Sequence, residues 1–486
     1  MEQMSNHQHE ILPRRGFFDH VGTGCYGAAL AHLLGRELAA NEPKETRRIY
    51  DLRPHQPVQE PKAKAVIHLF MNGGPSQMDL FDPKEELTKR HGESYFKKIA
   101  GEVEFIDSVG ALMRSPYKFR RHGDCGMAVS EVMPHLAKQV DDIALIRSMH
   151  TTTFAHEHAL YKIHSGRMLS AYPTLGSWVA YGLGSENQNL PAYVVLDDPA
   201  GLPVNGVENW QAGFLPPVYQ GTRFRSTGSP VLDLEPDAEK PARVVDLQRD
   251  LRTRLDRFHR QQRPGQPVLD ARISNYELAA RMQLAATDTL DLSQESAETL
   301  EMYGINDKKT ESYGRRCLIA RRLVESGVRF VQLYISGQIW DSHQNLASGL
   351  RSACEFTDKP VAALLKDLKQ RGLFDSTLVV WGGEFGRLPI AQLAGNKSDR
   401  SSGRDHNKNA MATWFAGAGI KGGTQHGATD ELGFAAVENK VSVQDWHATI
   451  LHLLGLDHEQ LVLDRLGLEE KLTHVFDAHV VDGILS

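Results

Sequence analysis

The stretch Val66-Ile67-His68-Leu69-Phe70-Met71-Asn72-Gly73-Gly74-Pro75 decides the fold. Its first six residues form a short, nearly unbroken apolar run, and the turn-forming Asn, Gly and Pro residues end it at once. A run this short, bounded this way, reads as a strand buried on both faces of a sheet. Comparable runs recur at 143–146, 193–196, 328–334, 377–381 and 413–416, with helical patterns between them. The clearest helix is predicted over 357–371. Thr357 or Asp358 would cap it, Pro360 would fit its first turn, Val361, Leu364, Leu365 and Leu368 make one apolar face, and Gly372 would stop it. Strands alternating with helices predict an α/β fold with a central, mostly parallel sheet between helices. In such sheets chemistry collects in the loops after the carboxyl ends of the strands.

The 486 residues suffice for one large α/β core carrying an insertion. Lys and Arg number 55 against 61 Asp and Glu, and this net charge of −6 argues against a nucleic-acid partner held by bulk positive charge. Cys25, Cys125, Cys317 and Cys354 are too few and too scattered for a disulfide scaffold, and the lack of a C-x-x-C pair excludes a cysteine zinc knuckle. No apolar run reaches the ~18 residues of a membrane-spanning helix.

Near the start, Arg14-Arg15 precede Phe17-Phe18 and a small-residue apolar stretch over 21–31. This reads as a twin-arginine export signal within residues 1–40, although Asp19, His20 and His32 interrupt its apolar part. The expected location is therefore periplasmic or extracellular. Residues 41–62, with Pro43, Pro54, Pro57 and Pro61, read as a polar linker, and the globular domain is expected over 63–486. Within it, about 200–310 reads as an insertion: irregular over 200–230, then charged and helical over 243–290, its charges forming a solvated face.

The polar residues just after the predicted strands carry the functional signal. Asn72 and Asp79 follow the first strand, where glycines let a ligand approach the backbone and an acid or amide can bind a cation. No G-K-[ST] follows, so this is not a phosphate loop. Thr151, Thr152 and Thr153 follow the second strand at the start of a predicted helix, where the dipole favours an anion and a metal could activate a hydroxyl. Simple capping is the plainer role for them. His156 and His158 point roughly 200° apart on a helix, so at most one can face the site. Asp341-Ser342-His343 places two potential ligands on one side of an extended loop. Glu384, flanked by glycines, precedes Arg387, a ligand followed by an anion clamp. Asp405-His406 completes the set. These oxygen and nitrogen donors suit a divalent Zn, Mn, Ca or Mg ion.

The motifs at 69–77, 146–151, 340–343, 382–387 and 403–406 resemble the bacterial "domain of unknown function 1501" family, and the resemblance runs from about residue 10 to the C-terminus. That family is similar in fold to the alkaline phosphatase and sulfatase superfamily. The resemblance implies a central sheet between helices and a metal-dependent site for phosphate or sulfate esters. On it, Asn72 falls where a metal-binding Asp is usual, residues 151–156 fall at the nucleophile, and His164-Ser165-Gly166-Arg167 resembles the close of the nucleophile helix. Asp341 and His343 resemble one metal pair, Glu384 falls where Asp-His is usual, and His406 matches a late histidine. Two departures stand out: Asn72 replaces an acid, and Phe385 replaces a histidine. No C/S-x-P-x-R motif supports formylglycine chemistry.

The reading is an exported metal-dependent hydrolase of small-molecule or polysaccharide sulfate or phosphate esters. Asp341, His343, Glu384, Asp405 and His406 would hold metal, with Asn72 and Asp79 as further ligands. One of Thr151 to Thr153, or His156, would sit at the attacking position, and Arg387 would bind the transferred group. Two alternatives remain open: a non-catalytic exported binding protein, and a cytoplasmic phosphomutase-like enzyme.

Overall fold

The computed structural model describes residues 51–226, 242–263, 266–393 and 401–486. The expected export signal and the first part of the linker lie outside these residues. The chain divides into two units, residues 1–50 with 236–273, and residues 51–235 with 274–486. The described part of the first unit is helical: α3 (Ala242–Gln262) and the first turns of α4 (Pro267–Leu290).

The second unit is built on a nine-stranded sheet. Its strands are β1 (Ala65–Phe70), β2 (Ile143–His150), β3 (Tyr193–Leu196), β4 (Thr222–Phe224), β5 (Phe330–Leu333), β6 (Thr377–Gly382), β7 (Met411–Ala416), β8 (Gln425–His426) and β9 (Val441–Ser442). The order is β8-β2-β7-β6-β1-β5-β3-β4, with β9 also paired to β2. Every pairing is parallel except those of β7, which runs antiparallel to both β2 and β6. β1 is central and fully buried, as its continuous apolar run requires.

Side chains alternate across β1 and so define two cores. Ile67 and Leu69 join a cluster with Cys317 and Leu318 of α5 (Glu311–Glu325) and Leu364 and Leu368 of α6 (Leu346–Gln370). On the opposite face, the rings of His68 and Phe70 meet His164 of α1 (His156–Ser165), and His68 also meets Trp446 of α7 (Val443–Leu453). Helices thus cover both sides of the sheet, as expected of the α/β class.

Several elements differ from expectation. α6 begins at Leu346, and Pro360 lies in its interior rather than its first turn. Buried residues from Leu346 to Leu368 hold the helix through the missing proline hydrogen bond. The threonines 151–153 precede α1, which starts at His156. Residues 200–226 contain two short 3-10 turns and then the edge strand β4, and Gln425–His426 form the edge strand β8, which no apolar run announces. Both strands are too short to show a period. From the linker region, the backbone N–H groups of His55 and Val58 donate to the carbonyls of Leu183, the last residue of α2 (Leu175–Leu183), and Gly455. Among the described residues no helix is long and apolar enough to cross a membrane.

Candidate metal centre

The loops after β1, β2, β5 and β6 meet at one edge of the sheet. Because β7 is antiparallel, the segment that enters it, Asp405 to Asn409, arrives at the same edge. A short two-residue pairing sets Arg387 opposite His406. Gly73 lets the loops close together: a Cβ there would lie 2.6 Å from Asp341 N, and its φ of +109° also favours glycine.

At the centre is the Asp341 carboxylate. His343 Nε2 lies 2.9 Å from Asp341 Oδ1, His406 Nε2 lies 3.3 Å from the same oxygen, and His156 Nε2 lies 3.4 Å from Oδ2. One ligand atom from each of His156, Asp341, His343 and His406 falls within 4.8 Å of the others. All three imidazoles therefore turn Nε2 inward. Each Nδ1 turns outward to an oxygen: His156 to Glu384 Oε1 at 2.7 Å, His343 to Gln392 Oε1, and His406 to Glu104 Oε2 at 2.6 Å, the last off the hydrogen-bond axis. An oxygen behind each imidazole, fixing its tautomer and orientation, is the usual support of a metal-ligating histidine.

Electrostatics agree with a cation site. Desolvation alone would raise the Asp341 carboxyl, but the surrounding histidines and Arg387, whose Nη2 lies 2.6 Å away, hold it far below the usual carboxylate range. Burial alone would lower His156, yet Asp341 and Glu384 raise it to about 9. His406 likewise lowers the Glu104 carboxyl. Among the described residues, three atoms of this cluster and its supports are buried without a hydrogen-bond partner: His156 Nε2, Glu384 Oε2 and His406 Nδ1. An unpaired buried donor set costs free energy unless something fills it, and a divalent ion fits both the charge and the atoms. Phe385 lines the cluster, with its ring 4.8 Å from His156 and 4.4 Å from His406, and Phe105 meets His343 edge-on at 5.1 Å.

The structure distributes the expected site residues unevenly. Asp341, His343 and His406 converge, and His156 joins them as a fourth donor rather than at an attacking position; His158 is exposed. Glu384 stands behind His156 and also accepts from Gly73 N at 2.8 Å. Asp405 accepts from the backbone N–H of Glu104, Phe105 and His406, although with Glu104 and His406 it forms a second group of potential ligands. Asn72 donates Nδ2 to Ile335 O at 2.8 Å, leaving its Oδ1 buried and unpaired. Asp79 is fully buried and bonded to Arg404 and Ser76, away from the cluster. Arg387, expected as an anion clamp, is itself fully buried and committed to Asp341 and to the carbonyls of Gly73, Gly74 and Arg404. The Thr151 hydroxyl is buried without a partner, Thr152 contacts Met168 Sδ at 3.5 Å, and Thr153 Oγ1 accepts from Ala155 N. Glu104 and Gln392 were not anticipated. Glu104 lies outside any strand, and Gln392 ends a strand of only three residues, Ile390–Gln392, too short to show a period, so no pattern in the sequence marks either.

Among solved structures, the chain is similar to a lipoteichoic acid synthase from Listeria monocytogenes (9% identity, 82% of this chain and 73% of that one, TM-score 0.35). It is also similar to a sulfatase from Pseudoalteromonas sp. (12%, 85% and 70%, TM-score 0.35) and to the alkaline phosphatase of the Antarctic bacterium TAB5 (13%, 81% and 98%, TM-score 0.32). No curated protein matches it. The model of one family, described as a protein of unknown function (DUF1501), matches residues 63–485, and the chain belongs to that family.

Proposed function

We propose that this chain is a divalent-metal-dependent hydrolase of sulfate or phosphate esters, exported by the twin-arginine route and acting on small-molecule or polysaccharide esters. The observation that carries this reading is the convergence of three Nε2 atoms and one carboxylate, each imidazole backed by an oxygen, at the carboxyl edge of a parallel sheet. The ester class rests on the motifs at 69–77, 146–151, 340–343, 382–387 and 403–406.

His156, Asp341, His343 and His406 would hold the ion, and the nitrogen-rich set favours Zn over Mn, Ca or Mg. Such an ion polarises an ester oxygen and lowers the pKa of an attacking hydroxyl or water. Glu384, Gln392 and Glu104 orient the imidazoles. His156, His343 and His406, with Arg387 beside them, hold the Asp341 carboxyl far below the usual carboxylate range. Thr151, whose buried hydroxyl has no hydrogen-bond partner among the described residues, is the threonine that would bond to substrate. The buried Phe385 ring packs against His156 and His406, and Phe105 against His343.

The alternative, a non-catalytic exported binding protein, is favoured by one observation: the Asn72 amide and Phe385 stand where further ligands would be expected. Elemental mass spectrometry on protein purified without chelators or metal resin tests the proposal. One divalent equivalent, lost in His343→Ala together with hydrolysis of aryl sulfates or phosphates, is the expected result. A metal-free wild-type protein would overturn it and favour the binding role.

A further inference from the structure

A cavity of about 610 Å³ opens beside the loop that carries Asp341 and His343. Its walls are the loop after β3 (Asp198 to Ala200), the loop after β5 (Ile335, Ser336 and Ile339), Ser312 of α5, and one face of α6 from Gly349 to Phe356. The volume is that of a site for a small organic molecule. The lining is mainly apolar, with the Phe356 ring packed at 5.6 Å, tilted by 37°, against the buried ring of Tyr313 behind it.

Its polar groups are few and distinct in state. Asp198 is the one acidic residue in the lining, and its carboxyl group is already partnered: Arg316 Nη2 lies 2.8 Å from its Oδ2, while the backbone N–H groups of Ser336 and Ala200 donate to its two oxygens. By contrast, the hydroxyls of Ser336 and Ser352 make no hydrogen bond among the described residues. A cavity with balanced charge, an aromatic and aliphatic wall and two free hydroxyls repels a bare ion, because no net charge remains to replace its hydration. It accepts a neutral ring that carries one or two hydrogen-bonding groups.

We infer that this cavity, between the loops after β3 and β5 and the first half of α6, is a binding site for a neutral, largely apolar organic molecule. It is separate from the metal centre, though the segment that lines it at Ile335, Ser336 and Ile339 continues directly into Asp341 and His343. The occupant therefore rests against the loop that carries two of the cluster's donors.

The test uses the full chain and a neutral fluorescent probe, N-phenyl-1-naphthylamine, titrated into wild type and two cavity-filling variants. A Cβ at position 349 meets only Ser342 Oγ, at 3.4 Å, so Gly349→Leu fills the cavity without a backbone clash. Ser352→Trp fills it from an exposed position on α6, and serves if the first variant does not fold. The expected result is one probe per chain in wild type and at least a tenfold weaker affinity in a folded variant with an unchanged circular dichroism spectrum. No probe binding to wild type, or a smaller loss of affinity in the folded variants, would overturn the assignment. Chelator leaves the result unchanged, so a metal-free protein would refute the proposed function and leave this one standing.

Discussion

Asp79 separates a structural acid from a ligand, and the structure commits it to the first role. Its side chain and that of Arg404 are both fully buried. Arg404 Nε lies 2.7 Å from Asp79 Oδ2 and Nη2 lies 3.2 Å from Oδ1, while Ser76 Oγ donates to Oδ2 at 2.5 Å. Asp79→Ala leaves the guanidinium buried with no counter-charge, a loss of about 3–5 kcal/mol. Arg404 keeps the carbonyls of Leu388 and Met113, which places the expected loss near the lower end. With a urea slope of about 3 kcal/mol/M, the midpoint should fall by about 1 M. The assay is urea unfolding with chelator present, so that metal binding adds nothing to the difference, with metal content measured separately. The pair Asp79→Leu with Arg404→Met should recover most of the stability, because two buried charges leave together. If Asp79→Ala unfolds at the wild-type midpoint but loses its metal, Asp79 is a ligand and the burial argument fails.

Three further outcomes are expected. His68 and His447 are held at about 3, His68 by burial and the nearby His447, and His447 chiefly by burial, so both are neutral in the folded chain. Their stabilisation is complete above pH 6.5 and declines as the pH falls, each costing about 2.7 kcal/mol by pH 4.5; urea midpoints between pH 8 and 4.5 test this, and His68→Met should remove about one proton from the slope. At the metal centre, His156 near 9 must shed its proton before Nε2 can ligate, so zinc affinity measured by competition with a chelator should rise with pH up to about 9, and a flat profile would remove His156 from the ligand set. Gly386→Ala would put a Cβ 2.0 Å from Ala410 O, against the strand pair that holds Arg387 beside His406. Thermal melting should show a loss of about 3 kcal/mol or more, and an unchanged melting temperature would refute that packing.

The central strands were legible because burial on both faces leaves a local mark, a short apolar run ended by turn residues, as in 66–75. The edge strands β4 and β8 left none, since three and two residues cannot carry a period. Pro360 read locally as a helix start, but the buried face of α6 extends past it on both sides. The antiparallel course of β7 was also invisible, because strand direction depends on long-range pairing, and it is that course which brings His406 to the site.

The sequence by itself determined the α/β class, the edge of the sheet where chemistry gathers, and the donor types placed there, because strand burial and turn chemistry are local properties of neighbouring residues. Tertiary structure decided which donors meet. Asp79 and Arg387 look as suitable as Asp341 in the sequence, yet each is saturated by a partner distant in the chain, Arg404 for one and Asp341 itself for the other. Glu104 and Gln392, which stand behind two of the three imidazoles, come from a segment outside any strand and from a three-residue strand, neither long enough to leave a pattern in the sequence. A side chain's role at such a site depends on where its atoms point and what already occupies them, and those are set only when the chain has folded.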